Sequence, residues 1–201
     1  MSFAINTLSA VNACLGTLGE LPVNDVDEDH PLVPAALAKI SQETAFLQAD
    51  MWWFNVEYPT LFPDPVTKQV RIPSDCVGVD SLTEYPRYAV RAGRLYNLDT
   101  GSDQFEAPLR VRIHRALPYD DMPLLARVLV QARAARKFHA DYDGDQAKMQ
   151  RLTADEQQSY LTFNAEHIRN AKANMLNRSG VQSVLLHVNP SLTTRRFSRI
   201  G

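Results

Sequence analysis

Basic residues are missing from the start of the chain: before Lys39 there is neither Lys nor Arg. The charged opening of a secretory signal is therefore absent, despite apolar Leu8, Val11 and Leu15, and the sequence implies a protein that stays in the cytoplasm until it is used. Long apolar runs are missing too. A bilayer span needs about 18 or more apolar residues in succession, and stretches such as Val128 to Val130 are far shorter. Cysteine is scarce. Cys14 and Cys76 stand far apart with no C-x-x-C spacing, so both read as reduced packing residues rather than a metal or redox pair.

The usual marks of catalysis are absent as well. There is no G-x-S-x-G elbow, no P-loop and no G-x-G-x-x-G, which removes the local signals of nucleophilic and nucleotide chemistry. The five histidines, His30, His114, His139, His167 and His187, make no H-x-x-x-H or H-E-x-x-H pair for zinc. His139 and His167 fall on or near apolar helix faces, where a packed, hydrogen-bonded imidazole is the ordinary outcome. Asp25-x-Asp27-x-Asp29 and Asp141-x-Asp143-x-Asp145 open like calcium loops but place His30 and Gln146 where glycine belongs, and Ala36 and Leu152 where a bidentate Glu belongs. No cofactor is expected. Paired carboxylates for glycoside hydrolysis remain open, since Glu57, Asp64, Asp80 and Glu84 share the middle of the chain and their spacing in space is invisible at this level.

What is present is a 201-residue chain, 45% hydrophobic and 22% charged, enough for one generous core or two small ones. Its net charge is only −2, but the charge is unevenly placed. The first segment holds Glu20, Asp25, Asp27, Glu28 and Asp29; after Glu166 there is no acid, and Arg169, Lys172, Arg178, Arg195, Arg196 and Arg199 stand alone. Oppositely charged ends suit either solvated segments or head-to-tail contact between copies.

Periodicity divides the chain into helix, strand and helix. Leu8, Val11, Leu15 and Leu18 recur at steps of three and four, with Gly19 placed to cap the helix. Pro31 suits the first turn of a second helix carrying Val33, Leu37, Ile40, Thr44, Leu47 and Met51, with Ala35, Ala36 and Ala38 keeping its flank slim for close packing. From residue 52 to 114 Pro and Gly punctuate short β-branched and aromatic runs, at 53–58, 69–72, 77–82 and 88–90. Ala92-Gly93 reads as a hairpin turn. Leu109, Val111 and Ile113 alternate with Arg110, Arg112 and His114, which predicts a half-buried strand with one basic face. Helix returns at Pro123 with Leu124, Leu125, Val128, Leu129, Ala132 and Ala135 on one face and Arg133 and Lys137 opposite. Asp143-Gly144 breaks it, and Thr153-Ala-Asp-Glu156 predicts a capping box for a last helix through Tyr160, Phe163, His167, Ala171 and Met175.

The reading is an α+β chain. Residues 1–51 and 117–180 form a bundle of N- and C-terminal helices, residues 52–116 a central antiparallel β domain, and residues 181–201 an extended arm. In that arm Val184, Leu185 and Leu186 precede a basic end with Arg195, Arg196, Phe197 and Arg199, a mix of aliphatic anchors and arginines suited to docking on another chain.

Five strings then matter together: Ser9-Ala-Val-Asn-Ala-Cys-Leu-Gly-Thr-Leu-Gly-Glu-Leu-Pro-Val23, Trp53-Phe-Asn-Val-Glu57, Leu61-Phe-Pro-Asp64, Tyr119-Asp-Asp-Met-Pro123 and Ala135-Arg-Lys-Phe138. In order and spacing they resemble the tail tubular A proteins of the T7-like podoviruses, through about residues 5 to 175. The resemblance implies a structural subunit rather than an enzyme: a head-to-tail adaptor, in a ring of twelve copies beneath the portal protein and above the tail nozzle protein (tail tubular protein B), with tail fibres attached nearby. Viral DNA would pass through the lumen without specific binding. It implies residence in the virion tail, after assembly in the host cytoplasm. Two other functions stay open on the residues alone: a tail-associated hydrolase of cell wall or capsule polysaccharide, and a DNA-gripping module built on Arg87, Arg91, Arg94, Arg110, Arg112 and His114. Against the second stands a sequence pI near 6.2, far from a basic DNA-binding domain.

Overall fold

A computed structural model describes residues 5–171. Four helices, α1 (Thr7–Thr17), α2 (Val33–Gln48), α3 (Leu124–Tyr142) and α4 (Gln146–Asn170), flank a β region of seven short strands. These are β1 (Val56–Glu57), β2 (Thr60–Leu61), β3 (Cys76–Asp80), β4 (Tyr88–Arg91), β5 (Arg94–Asn97), β6 (Leu109–Arg110) and β7 (Arg112–Arg115). The α+β organisation expected from the sequence is what forms.

α1 begins with a reciprocal cap: the Asn6 side chain accepts from the Ser9 N–H while the Ser9 hydroxyl serves the Asn6 backbone. Asp120, from the turn before α3, adds two acceptors, taking the Thr7 N–H at 2.9 Å and its hydroxyl at 2.8 Å. At the other end Gly19 has φ +79°, the left-handed conformation that closes a helix without a Cβ penalty. α2 starts at Val33 with Pro34, not Pro31, in its first turn, where a missing N–H costs nothing.

α3 is the hub, packing on α1, α2 and α4. Its buried side chains are Ala126, Leu129, Val130, Ala134, Ala135, Phe138 and His139, so the inward face is rotated from the one expected, and Leu124 is exposed. The rotation has a cause: Lys137 and Arg133, expected to face solvent, reach carboxylates on the neighbouring helices. Lys137 bonds the buried Glu43 of α2 at 2.6 Å, and Arg133 and Arg136 both meet Glu156 of α4. α4 starts earlier than Thr153, at the Asp145 cap whose carboxylate accepts the Ala147 N–H at 3.0 Å. Thr153 lies inside that helix, its hydroxyl donating to the Met149 carbonyl, and Glu156 serves the arginines instead of a capping box.

Where the chain leaves α2, the aromatic run does not form the expected strand over 53–58. Trp52, Trp53 and Phe54 gather around Phe163 of α4, with ring centroids at 4.5, 5.3 and 6.3 Å, and only Val56–Glu57 extends. Burial of large rings outweighs strand preference here. Gln48 ties the two ends of the β region together, its amide donating to the Leu117 carbonyl at 2.8 Å and accepting the Leu117 N–H at 2.6 Å.

β7 is the centre of a three-stranded antiparallel sheet, β1-β7-β3, while β2 pairs with β6 and β4 with β5. Val56 and Gly78 both lie opposite His114, and β3 carries an irregularity between Cys76 and Gly78. The single strand expected over 109–114 is split at Val111, whose N–H turns to the Pro59 carbonyl. Residues 69–72 make only isolated bridges, Gln69 to Gln104 and Arg71 to Arg94, yet bury Val70 and Ile72. The β4-β5 hairpin turns as expected through Ala92 and Gly93, both with positive φ, the geometry a two-residue turn requires. Two apolar clusters result, one among the helices and one around Val70, Leu95, Val111 and Ile113.

Candidate functional site

The side chains with chemical potential are mostly engaged in structure. His114 is buried, contrary to the expected basic strand face, and its Nε2 lies 3.2 Å from Asp80. Arg112 reaches the same carboxylate at 3.1 Å. Arg115 spans Glu57 at 3.1 Å and Asp75 at 2.7 Å, pairings that raise its pKa further. Arg87 holds Asp99 at 2.8 Å. Carboxylates interleave the arginines, so the positive potential a phosphate backbone would need is offset locally.

The same pairings bear on the carboxylates considered for glycoside hydrolysis. Glu57 and Asp80 are bound to arginines, and Asp64 is held below the usual carboxylate range, chiefly by the N–H groups of Thr67 and Val66, each 2.9 Å from Oδ1. A general acid needs a shift the other way. Burial pushes the Cys14 thiol up to about 12, which makes it a packing group rather than a nucleophile, and Cys76 is likewise raised by burial. His139 is enclosed, 3.3 Å from the Asp145 carbonyl, and His167 stands edge-on to Trp52. Among the described residues no group of three or more His, Cys, Asp or Glu could hold a metal, and no helix is long and apolar enough to cross a membrane.

What the geometry offers is surface for other chains. A groove of about 470 Å³ runs along α2, between Leu37, Ile40, Thr44 and Ala45 on one side and residues 116–119 on the other. The Asp64 turn presents Phe62 and Val66, 71% and 89% exposed, and Pro63 and Pro65 stiffen the loop. A third feature is on α4, where Leu161 and Ile168 are exposed on the side away from Phe163. These exposed apolar side chains are surface that contact with another molecule would bury. The arm residues Val184, Leu185, Leu186, Arg195, Arg196, Phe197 and Arg199 lie outside the described residues, as does Met175.

Sequence reasoning missed the groove because its two walls are about seventy residues apart, joined by Gln48. The signal for Leu161 and Ile168 was available: a step of seven, out of phase with Tyr160, Phe163 and His167, marks a second helix face.

The family model described as tail tubular protein matches residues 8–179. A tail tubular protein A from Klebsiella phage KP34 is 26% identical over 166 residues, covering 82% of this chain and 88% of that protein. The match takes in all four helices and the whole β region, so the chain belongs to the tail tubular protein family, the structural subunits of bacteriophage tails.

Proposed function

We propose that this chain is the ring-forming adaptor of a short phage tail, joining the portal to the nozzle and forming part of the DNA ejection channel. The observation that carries the reading is the family match across nearly all of the chain. The uncharged groove on α2 and the apolar surfaces on α4 and the Asp64 loop support it, since a ring closes only through heterologous contacts between unlike surfaces. On this reading about twelve copies surround a lumen through which DNA passes without sequence-specific contact. Portal, nozzle and tail fibre are the partners, and the protein moves from the host cytoplasm to the virion tail.

The proposed organisation assigns residues 1–51 and 117–180 to the ring-forming helices, 52–116 to the β domain, and 181–201 to an arm tethering the portal through Val184 to Leu186 and Arg195 to Arg199. Electron microscopy of the purified protein mixed with its portal tests the reading. Stacked rings are expected; a protein that stays dispersed with portal at every concentration tried overturns it. Removing residues 189–201 should weaken co-sedimentation with portal while leaving the melting of the free protein unchanged, and undiminished binding would dismiss the arm as tether.

A further inference from the structure

One group of arginines escapes the pairing described above. Arg71 lies opposite Arg94 in an antiparallel bridge, and Arg94 lies opposite Arg91 across the β4-β5 turn, so the three stand in one row across adjacent segments. Directly opposed residues share a face of the sheet. The Leu95 N–H donates to the Val70 carbonyl and the Ile72 N–H to that of Gly93, each at 2.9 Å. Arg71 and Arg94 are therefore a pair with no hydrogen bond between them, the closer of the two antiparallel kinds. All three arginines are exposed. Like charges directly opposite one another weaken a sheet, and little nearby relieves these. Arg94 has Asp103 at 3.8 Å, a carboxylate already held by Gln69 at 2.7 Å, and Arg91 lies over the Tyr96 ring, 3.8 Å from its centroid. Arg71 and Arg91 join no ion pair among the described residues, Arg71 acting on Asp64 only from beyond that distance. An open hollow of about 380 Å³ adjoins the row, between Arg71, Ile72, Ala92, Gly93 and Arg94. An anion placed there removes the repulsion and meets the planar donors that guanidinium groups offer to carboxylates.

The chain carries such an anion itself. Between α1 and α2, Asp25, Asp27, Glu28 and Asp29 are exposed and join no ion pair with Lys or Arg among the described residues, and no base precedes Lys39 to offset them. Asp25 Oδ1 accepts the Asp27 N–H at 3.1 Å and Glu28 Oε2 accepts the Asn24 N–H at 2.9 Å, bonds that shape the loop without neutralising it. Other acidic stretches are engaged: Asp75 and Asp80 take Arg115 and Arg112, Asp99 takes Arg87, and Asp141 takes Lys39. Beyond Glu166 there is no Asp or Glu at all. Within one copy the loop is anchored in the helical cluster by Val23 and Val26, the arginine row flanks the cluster of Val70 and Leu95, and no ion pair joins them among the described residues. We infer that the row of Arg71, Arg94 and Arg91 in one copy receives the 25–29 loop of a second copy, a heterologous contact held by carboxylate–guanidinium pairs. A DNA duplex suits the row less well, since it would extend past it onto Asp64 and Asp103, whose charges repel phosphate. Exposed pairs of this kind are weak singly. The contact therefore gains strength from repetition among copies and loses it as salt rises.

This inference rests on the ring reading, and the test separates the two. Arg71→Lys, Arg91→Lys and Arg94→Lys are combined in the full chain, which keeps the charge and offers amines that a carbodiimide joins to carboxylates in contact. Chains labelled with heavy nitrogen and unlabelled chains are mixed, assembled on portal, cross-linked and digested for mass spectrometry. Hybrid peptides joining position 71, 91 or 94 of one copy to the 25–29 loop of another are expected. Rings that yield no such peptide overturn this contact and leave the ring standing; a wild-type chain that forms no ring overturns both. Charge reversal is the second measurement. Arg91→Glu with Arg94→Glu, and separately Asp27→Arg with Asp29→Arg, should each raise the chain concentration needed for half-assembly on portal roughly tenfold or more, with melting little changed. All four changes together should restore it to within about threefold of wild type. A combined variant no better than either half overturns the contact. A row reversal that leaves assembly intact while removing salt-dependent binding of duplex DNA assigns the row to phosphate and overturns it too.

Discussion

Among the helices, Leu15, Leu129, Phe138 and Phe163 are fully buried, whereas strands of two to five residues share a smaller cluster around Val70, Leu95, Val111 and Ile113. The β region is held also by ion pairs at half-exposed sites, such as Arg115 with Glu57 and Asp75, and by turns with special backbone geometry. The difference teaches where stability and adaptability reside. Burial of large side chains is worth several times an exposed ion pair, so the helical part should set global stability while the β part yields first and presents loops such as that of Phe62.

The comparison can be broken by measurement. Phe138→Ala should cost about 3–5 kcal/mol in urea unfolding, the largest effect of any single truncation considered. Leu95→Ala should cost about 2–4 kcal/mol and be seen first in near-ultraviolet signals of the β region; a loss of helix as large as that of Phe138→Ala would show that the two parts share one stability. Lys137→Met leaves the buried Glu43 carboxylate without its partner and should cost about 1–3 kcal/mol, with much of the loss recovered by the double change Glu43→Leu and Lys137→Met. Ala92→Gly removes a Cβ from a residue at φ +48° and should stabilise the hairpin by about 0.5–1 kcal/mol, raising the melting temperature.

The smallest effect concerns Asp64, whose folded pKa lies below its unfolded value because backbone N–H groups favour the carboxylate. Its contribution is complete above the unfolded carboxylate pKa of about 3.9 and disappears as pH falls through the folded value. Wild type and Asp64→Ala should therefore differ in melting at neutral pH and converge in acid. A gap that widens toward low pH would contradict the assigned role.

Helix positions were legible because steps of three and four survive in Val11, Leu15, Ile40, Leu47 and Leu129, all buried as the pattern requires. The hairpin at Ala92-Gly93 was legible from its turn residues. Strand limits at 53–58 and 69–72 were not, since Trp52 and Trp53 follow the ring of Phe163 across more than a hundred residues of sequence. Nor was the basic strand face, because Asp80 on the neighbouring strand pairs with both Arg112 and His114, and His114 is buried.

By itself, then, the sequence determined the order of helix, β region and helix, the lack of charge along the middle of α4, and the family strings, all properties of residues close in the chain. Only the tertiary structure decided that Gln48 joins Leu117, that Glu43 is buried on Lys137, and that a groove opens beside Thr44. Those outcomes depend on which distant segments share the limited interior, and periodicity, being local, carries no information about that choice.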